Sequence, residues 1–200
     1  MTKIKQKKWL VVLLLSLFVW GCKATSASTK SDATITNTVE VETAEADMKG
    51  YSFVRDPIAS YIEIPLKDLT KLINEGGSGL VYMGYDTCDW CNRAFPELNA
   101  VLQEYNFTTY YVNSHSEHFV YTSSDVDEMF KALEPVLNED GNLYVPLVLG
   151  VKNGEIVGFH SALVEDYHAT DIKDPNDQMS DAQKEELRNI YKEIIEKTID

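Results

Sequence analysis

At 200 residues and 44% apolar composition, the chain can close one hydrophobic core of ordinary size without extra staples and still carry appended segments. Its 18 basic residues face 32 acidic ones, a formal charge of −14, which argues against nucleic acid as a partner because such binding rests on clustered Lys and Arg. The same charge repels anionic lipid, so a covalent anchor rather than a basic patch would be needed to hold the protein at a membrane.

The chain opens with Lys3, Lys5, Lys7 and Lys8 and runs through "WLVVLLLSLFVW" to Gly21 and Cys22, the basic and apolar regions of an export signal. The apolar run of 12 residues is shorter than the roughly 20 that a transmembrane span needs. An uncleaved N-terminal anchor is the alternative. "VWGC", Val19 to Cys22, resembles the lipobox of bacterial lipoproteins, although Trp20 is bulkier than usual there. That resemblance implies cleavage before Cys22, a lipid on its sulfur, and an extracytoplasmic, membrane-anchored protein. Removing the four signal lysines leaves 14 basic residues against 32 acidic ones, a net −18. Such a surface attracts positively charged substrates over about a Debye length, or simply keeps the protein soluble. Outside the cytoplasm disulfides persist, and redox-active thiols need a partner to reset them. With Cys22 assigned to the lipid, Cys88 and Cys91 remain.

Residues 23–50 are rich in Thr, Ser, Ala and acids and read as a flexible tether, with a domain over 51–200. Within that domain "SYIEIPL" reads as a short strand, and "PLKDLTKLINEGG" as a helix with Pro65 at its first position and glycines at its end. "GLVYMGY" has the continuous apolar character of a covered central strand. Ala94, Phe95, Leu98, Val101, Leu102 and Tyr105 recur at helical spacing, predicting a helix from Cys88 to about Glu104 that Pro96 should kink or loosen. "FTTYYVN" is a strand by composition. Ser124 and Asp127 form a capping signature for the next helix. "LYVPLVLGVKNGEIVGFHSA" reads as two strands joined by Lys152-Asn153-Gly154, and Ser180 with Gln183 as the capping box of a final helix. Alternation at the front and a hairpin at the end predict an α/β fold with a mixed sheet and helices on both faces.

A cysteine in the first turn of a helix meets unpaired backbone N–H groups and the positive end of the helix dipole, so its thiolate is favoured. Cys88 has that place, and Cys91 lies about one turn on along the same face, near enough to form and break a bridge. Cys88 would attack a substrate disulfide and Cys91 would resolve the mixed disulfide. Half of a zinc site has the same C-x-x-C spacing. Its remaining ligands would be His115 and His118, whose "HSEH" spacing is shorter than that of a zinc finger. A structural disulfide here would close too short a loop to remove much chain entropy.

From about Leu80 to Ala162 the sequence resembles the thioredoxin superfamily. The carriers are a hydrophobic strand ending in "TCDWC", Pro96 five residues after the second cysteine, and Val145-Pro146 followed by a strand and "KNG". The resemblance implies a thioredoxin-like three-layer α/β/α fold with a mixed central sheet, and thiol–disulfide chemistry at Cys88 and Cys91 that uses neither metal nor cofactor. It further implies a cis Val145–Pro146 bond facing the dithiol, Val145 backbone pairing with a substrate strand, and Pro146 keeping metal away from the thiols. Asp89-Trp90 replaces the Gly-Pro of thioredoxin itself, Thr87 stands where a tryptophan is usual, and Tyr82 occupies the place of the family's buried acid. Within the superfamily the chain is similar to extracytoplasmic lipoprotein thioredoxins and to bacteriocin transport accessory proteins.

Asp86 and Asp89 flank Cys88, and their charge should raise its pKa and favour a reductant or modest oxidant. Arg93 could offset them, but reads better as a solvated arginine on the helix face. Trp90 offers either a substrate-contact plate or packing against the domain itself. Tyr110, Tyr111, Phe119 and Tyr121 read as core and sheet residues, His160 as a surface or satisfied histidine, and "HATDIKDPNDQMSD" as a solvated loop without the spacing of a calcium site. Two functions compete. One is a monomeric, membrane-anchored oxidoreductase acting on thiols and disulfides of exported proteins, with a redox partner that the residues do not identify. The other is a non-catalytic accessory protein of a peptide export or assembly complex.

Overall fold

The computed structural model describes residues 35–54 and 56–199; the expected export signal, Cys22 and residues 23–34 of the expected tether lie outside the described residues. Strands β1 (Ala44–Glu45), β2 (Tyr61–Glu63), β3 (Gly79–Gly84), β4 (Thr109–Asn113), β5 (Leu147–Lys152) and β6 (Glu155–Ser161) form one sheet in the order β1-β2-β4-β3-β5-β6. The neighbours β2/β4 and β4/β3 are parallel, while β1/β2, β3/β5 and β5/β6 are antiparallel. Helices α1 (Leu66–Asn74), α2 (Asp89–Tyr105), α3 (Ser123–Ala132) and α4 (Asp181–Ile199) pack on it. The fold is therefore α/β with a six-stranded mixed sheet and four helices, as the alternation of elements predicts.

Because side chains alternate across a strand, β3 feeds two cores. Leu80 and Tyr82 join Leu98 and Leu102 of α2 and Leu187 and Ile195 of α4 on one face. Val81 and Met83 join Leu69 and Leu72 of α1 and Met129 of α3 on the other. Every residue of β3 is buried, which is why its sequence is continuously apolar rather than alternating. The β5/β6 hairpin turns at Asn153 and Gly154, both with positive φ (51° and 82°), the geometry that selects Asn-Gly.

Several local expectations shift. Helix α3 starts two residues early: Thr122 is its cap, with Thr122 Oγ1 accepting from Asp125 N–H at 3.2 Å and the Asp125 carboxylate accepting from Thr122 N–H at 2.7 Å. The same pattern of hydroxyl and acid occurs at both registers, and the chain uses the first. Pro65 caps α1 rather than opening it, and α2 continues unbroken through Pro96. The Ser180–Gln183 box is present as predicted, with Ser180 N–H donating to Gln183 Oε1 at 2.9 Å.

The largest departure is the segment before Tyr51. From residue 35 the chain lies against the domain: Val39 and Met48 are buried, and β1 pairs with β2. Asn37 fixes its entry, donating to Val39 O (2.8 Å) and Tyr110 Oη (3.1 Å) and accepting from Ser78 N–H (3.3 Å). Glu42 N–H donates to the Asp68 carboxylate at 2.5 Å. Apolar anchors this few, set among Thr, Ser and acids, leave a composition that reads as tether.

Candidate active site

Strand β3 delivers the chain to Tyr85, and the following turn ends at Cys88, whose N–H donates to Tyr85 O at 3.3 Å. Cys88 is the N-cap of α2 (φ −85°, ψ 117°), and its sulfur accepts from Cys91 N–H at 3.1 Å, the bond a Ser or Asp cap would make. Both cysteines are free thiols. Cys88 is half-buried, whereas Cys91 is fully enclosed. Asn92, also buried, braces the loop: its amide donates to Asp86 O (2.5 Å) and Cys88 O (3.1 Å), and its carbonyl accepts from Ser52 N–H (2.5 Å).

The two thiols titrate in opposite directions. Cys88 is lowered to about 7, foremost by a hydrogen bond from the Cys91 thiol, with the backbone N–H groups of Cys91 and Trp90 adding to it against the cost of burial. Cys91 is pushed far up, first by giving its proton to that same bond and then by burial. Cys88 is therefore the more acidic and more exposed of the two sulfurs, and Cys91 the one that keeps its proton. Asp89 does act upward on Cys88, as its charge requires, but the local hydrogen bonds outweigh it. The expected net rise at Cys88 is thus replaced by a fall. Asp86 and Asp89 are both exposed, where water screens their charge.

The register of β5 against β3 ends with Leu147 opposite Met83, so Val145 and Pro146, the next residues outward, stand at the sheet end from which the Cys88 loop departs. The Val145–Pro146 bond is cis, and Pro146 O accepts from Ala162 N–H at 2.8 Å. Val145 is half-buried, and Tyr144 beside it is 51% exposed. Trp90 is half-buried with its ring edge-on to Tyr167 (centroids 6.5 Å, 76°), so packing against the domain accounts for at least one of its faces.

Arg93 overturns its sequence reading. It is 1% exposed, not solvated, and its guanidinium binds Tyr167 Oη (3.1 Å), Asp177 O (2.9 Å), Pro175 O (3.3 Å) and Asp89 O (2.8 Å). The loop read as merely solvated therefore has an inner side that closes over the first turns of α2. Of the histidines weighed as zinc ligands, His115 stacks on Tyr85 at 4.0 Å and His118 is exposed, 3.9 Å from the Glu63 carboxylate. His160 is half-buried with Nε2 at 3.2 Å from Leu163 O, a satisfied histidine held below its usual pKa by burial. Tyr111 is core, and Tyr110 packs on the opposite face.

Beneath Cys91 lies an aromatic cluster that sequence spacing does not disclose, because Tyr51, Tyr82 and Tyr111 come from three separate segments. Tyr82 stacks on Tyr111 (5.8 Å, 17°), Tyr51 stacks on Phe95 (4.2 Å, 23°), and the hydroxyls of Tyr51 and Tyr111 bond each other at 3.1 Å. No protein-family model matches the chain and no curated protein matches it in sequence, so what the site does is argued from the residues themselves.

Proposed function

We propose that this protein is a thioredoxin-like thiol–disulfide oxidoreductase. Cys88 attacks a substrate disulfide, breaking its S–S bond and forming a mixed disulfide; Cys91 then attacks Cys88, releasing the second substrate sulfur as a thiol and leaving a Cys88–Cys91 disulfide. Run in reverse, the oxidised pair takes two electrons from substrate thiols. The observation that carries this reading is the placement of the two thiols: Cys88 is the half-exposed N-cap of α2 with its sulfur accepting from Cys91 N–H at 3.1 Å, and Cys91 is fully buried one turn on. A half-exposed sulfur at a helix N-terminus ionises near pH 7, backed by a buried sulfur that keeps its proton. A thiol whose pKa lies near ambient pH combines a useful thiolate fraction with undiminished nucleophilicity. The exposed Tyr144 and half-buried Val145 at the same sheet end give a peptide substrate a surface to meet. Export and a lipid on Cys22 complete the proposal, placing the dithiol outside the cytoplasm with exported proteins as substrates and a separate redox partner to reset it.

The test is reduction of insulin disulfides, together with the thiol–disulfide equilibrium against glutathione, for the wild type and Cys88→Ser. The wild type should turn over and settle at a defined equilibrium, and Cys88→Ser should fall to background. Equal activity in the two proteins, or no measurable dithiol equilibrium, would overturn the reading.

A further inference from the structure

We infer that the Tyr82 hydroxyl is the hydrogen-bond donor that receives the negative charge developing on Cys91 Sγ when this thiol resolves the mixed disulfide on Cys88. The inference rests on the dithiol chemistry proposed above and adds a residue to it. Tyr82 is fully buried on β3, and among the described residues its hydroxyl makes no hydrogen bond of proper geometry, although it lies near the Tyr51 hydroxyl and the Cys91 thiol. A buried hydroxyl without a partner is costly, and such a group calls for an explanation. The neighbouring hydroxyls are already engaged: Tyr51 and Tyr111 bond each other, and Tyr111 also donates to Gly84 O at 3.3 Å. Tyr82 alone of the three is left over, and it points at the dithiol. A Cβ on Gly84 would lie 2.9 Å from Tyr82 Oη and 3.1 Å from Cys91 Sγ, so the hydroxyl and the sulfur converge on the space that the missing side chain leaves open.

In the resting dithiol Cys91 keeps its proton and donates a hydrogen bond through it to the Cys88 thiolate. Once Cys88 is bonded to a substrate sulfur it no longer carries charge, and that interaction loses its main acceptor. Cys91 must then become the nucleophile inside the core. The S–S bond between Cys88 and the substrate breaks, the Cys91–Cys88 bond forms, and the electron pair leaves with the substrate sulfur. The Cys91 proton passes through solvent to that departing sulfur, while Tyr82 keeps its own proton and supplies only the hydrogen bond. A buried thiolate without a donor would be poorly stabilised. The titratable groups around Cys91 are Cys88, Tyr51, Tyr82, Tyr85, Tyr111 and Tyr191. All five tyrosines are pushed above their usual pKa, first by burial, so they contribute dipoles rather than opposing charge.

The experiment uses the full chain and Tyr82→Phe, reduced and then mixed with glutathione disulfide, with acid quenching and mass spectrometry to follow the glutathione adduct on Cys88. In the wild type the adduct should be transient. In Tyr82→Phe it should accumulate because resolution slows about tenfold, as loss of a hydrogen bond to a charged sulfur implies. The rising limb of the pH profile for resolution should move to higher pH, while alkylation of Cys88 by iodoacetamide keeps its rate and pH midpoint. The reduced variant should melt no lower than the wild type, since the hydroxyl removed made no hydrogen bond of proper geometry. Unchanged resolution in Tyr82→Phe overturns the inference and leaves the dithiol reading standing. Loss of fold, or parallel loss of resolution, Cys88 reactivity and melting temperature, overturns it by making Tyr82 structural. A wild type that forms the adduct but never releases it as glutathione overturns the dithiol reading as well.

Discussion

The acidity of Cys88 is set by groups within one helical turn of it, and the largest of these is the other cysteine. A hydrogen bond to a charged partner contributes about 1.5–3 kcal/mol, and one pKa unit corresponds to about 1.4 kcal/mol. Removing the Cys91 thiol should therefore move the Cys88 midpoint up by at least about one pH unit. The measurement is the pH dependence of Cys88 alkylation in the reduced protein. Only the thiolate reacts, so the wild-type rate should rise with pH through a midpoint near 7, and the Cys91→Ala curve should lie to its right. Asp89→Asn should move the curve the other way, by less, because an exposed carboxylate is screened. Superimposable curves for wild type and Cys91→Ala would show that the helix terminus alone makes the thiolate. These effects cannot be ranked from the residues alone: flanking acids are visible in a string of letters, whereas the Cys91-to-Cys88 hydrogen bond exists only once the turn is built.

At the level of elements, the first turns of α2 are held by an arginine wrapped by a hydroxyl and backbone carbonyls: Tyr167 Oη and the carbonyl oxygens of Asp89, Pro175 and Asp177. A planar guanidinium with five donors can serve several carbonyls at once, which an ammonium on a flexible stem cannot. Arg93→Met should strip those acceptors of their donor and cost about 2–4 kcal/mol, with Arg93→Lys recovering only part. Urea unfolding of the reduced proteins measures both; a methionine variant within about 0.5 kcal/mol of wild type would mean that water replaces the guanidinium without penalty. Helical spacing placed α2 correctly and put Cys88 at its start, since apolar periodicity is local information. It misread Arg93 because two of its partners lie 82 and 84 residues downstream, in a loop with no periodicity to read. Tyr82 was likewise visible only as a departure from the pattern that the resemblance implies, its surroundings depending on Tyr51 and Tyr111 brought in by other segments.

Across the whole molecule, the order strand, helix, strand, helix, strand, helix, hairpin, helix was legible because each element carries its own period, and the mixed sheet follows from that order. Residues 35–50 were not legible, since their attachment depends on surfaces that the domain supplies. Val39 enters the core between α1 and the sheet, Met48 enters the core that holds Cys91, and Asn37 bridges Ser78 and Tyr110. Fully burying a side chain such as Val or Met contributes about 1.5–3 kcal/mol, against which stands the entropy of ordering the segment. A chain beginning at Tyr51 should therefore be less stable than one beginning at Ile35 by about 2–4 kcal/mol, with its urea midpoint lowered accordingly. The Cys88 alkylation midpoint should nonetheless stay near 7 in both, because every leading cause of its acidity lies between Cys88 and Cys91. Equal urea midpoints would make the segment a passive covering. A shift in the thiol midpoint would mean instead that it reaches the dithiol, through Gly50 against Asp86.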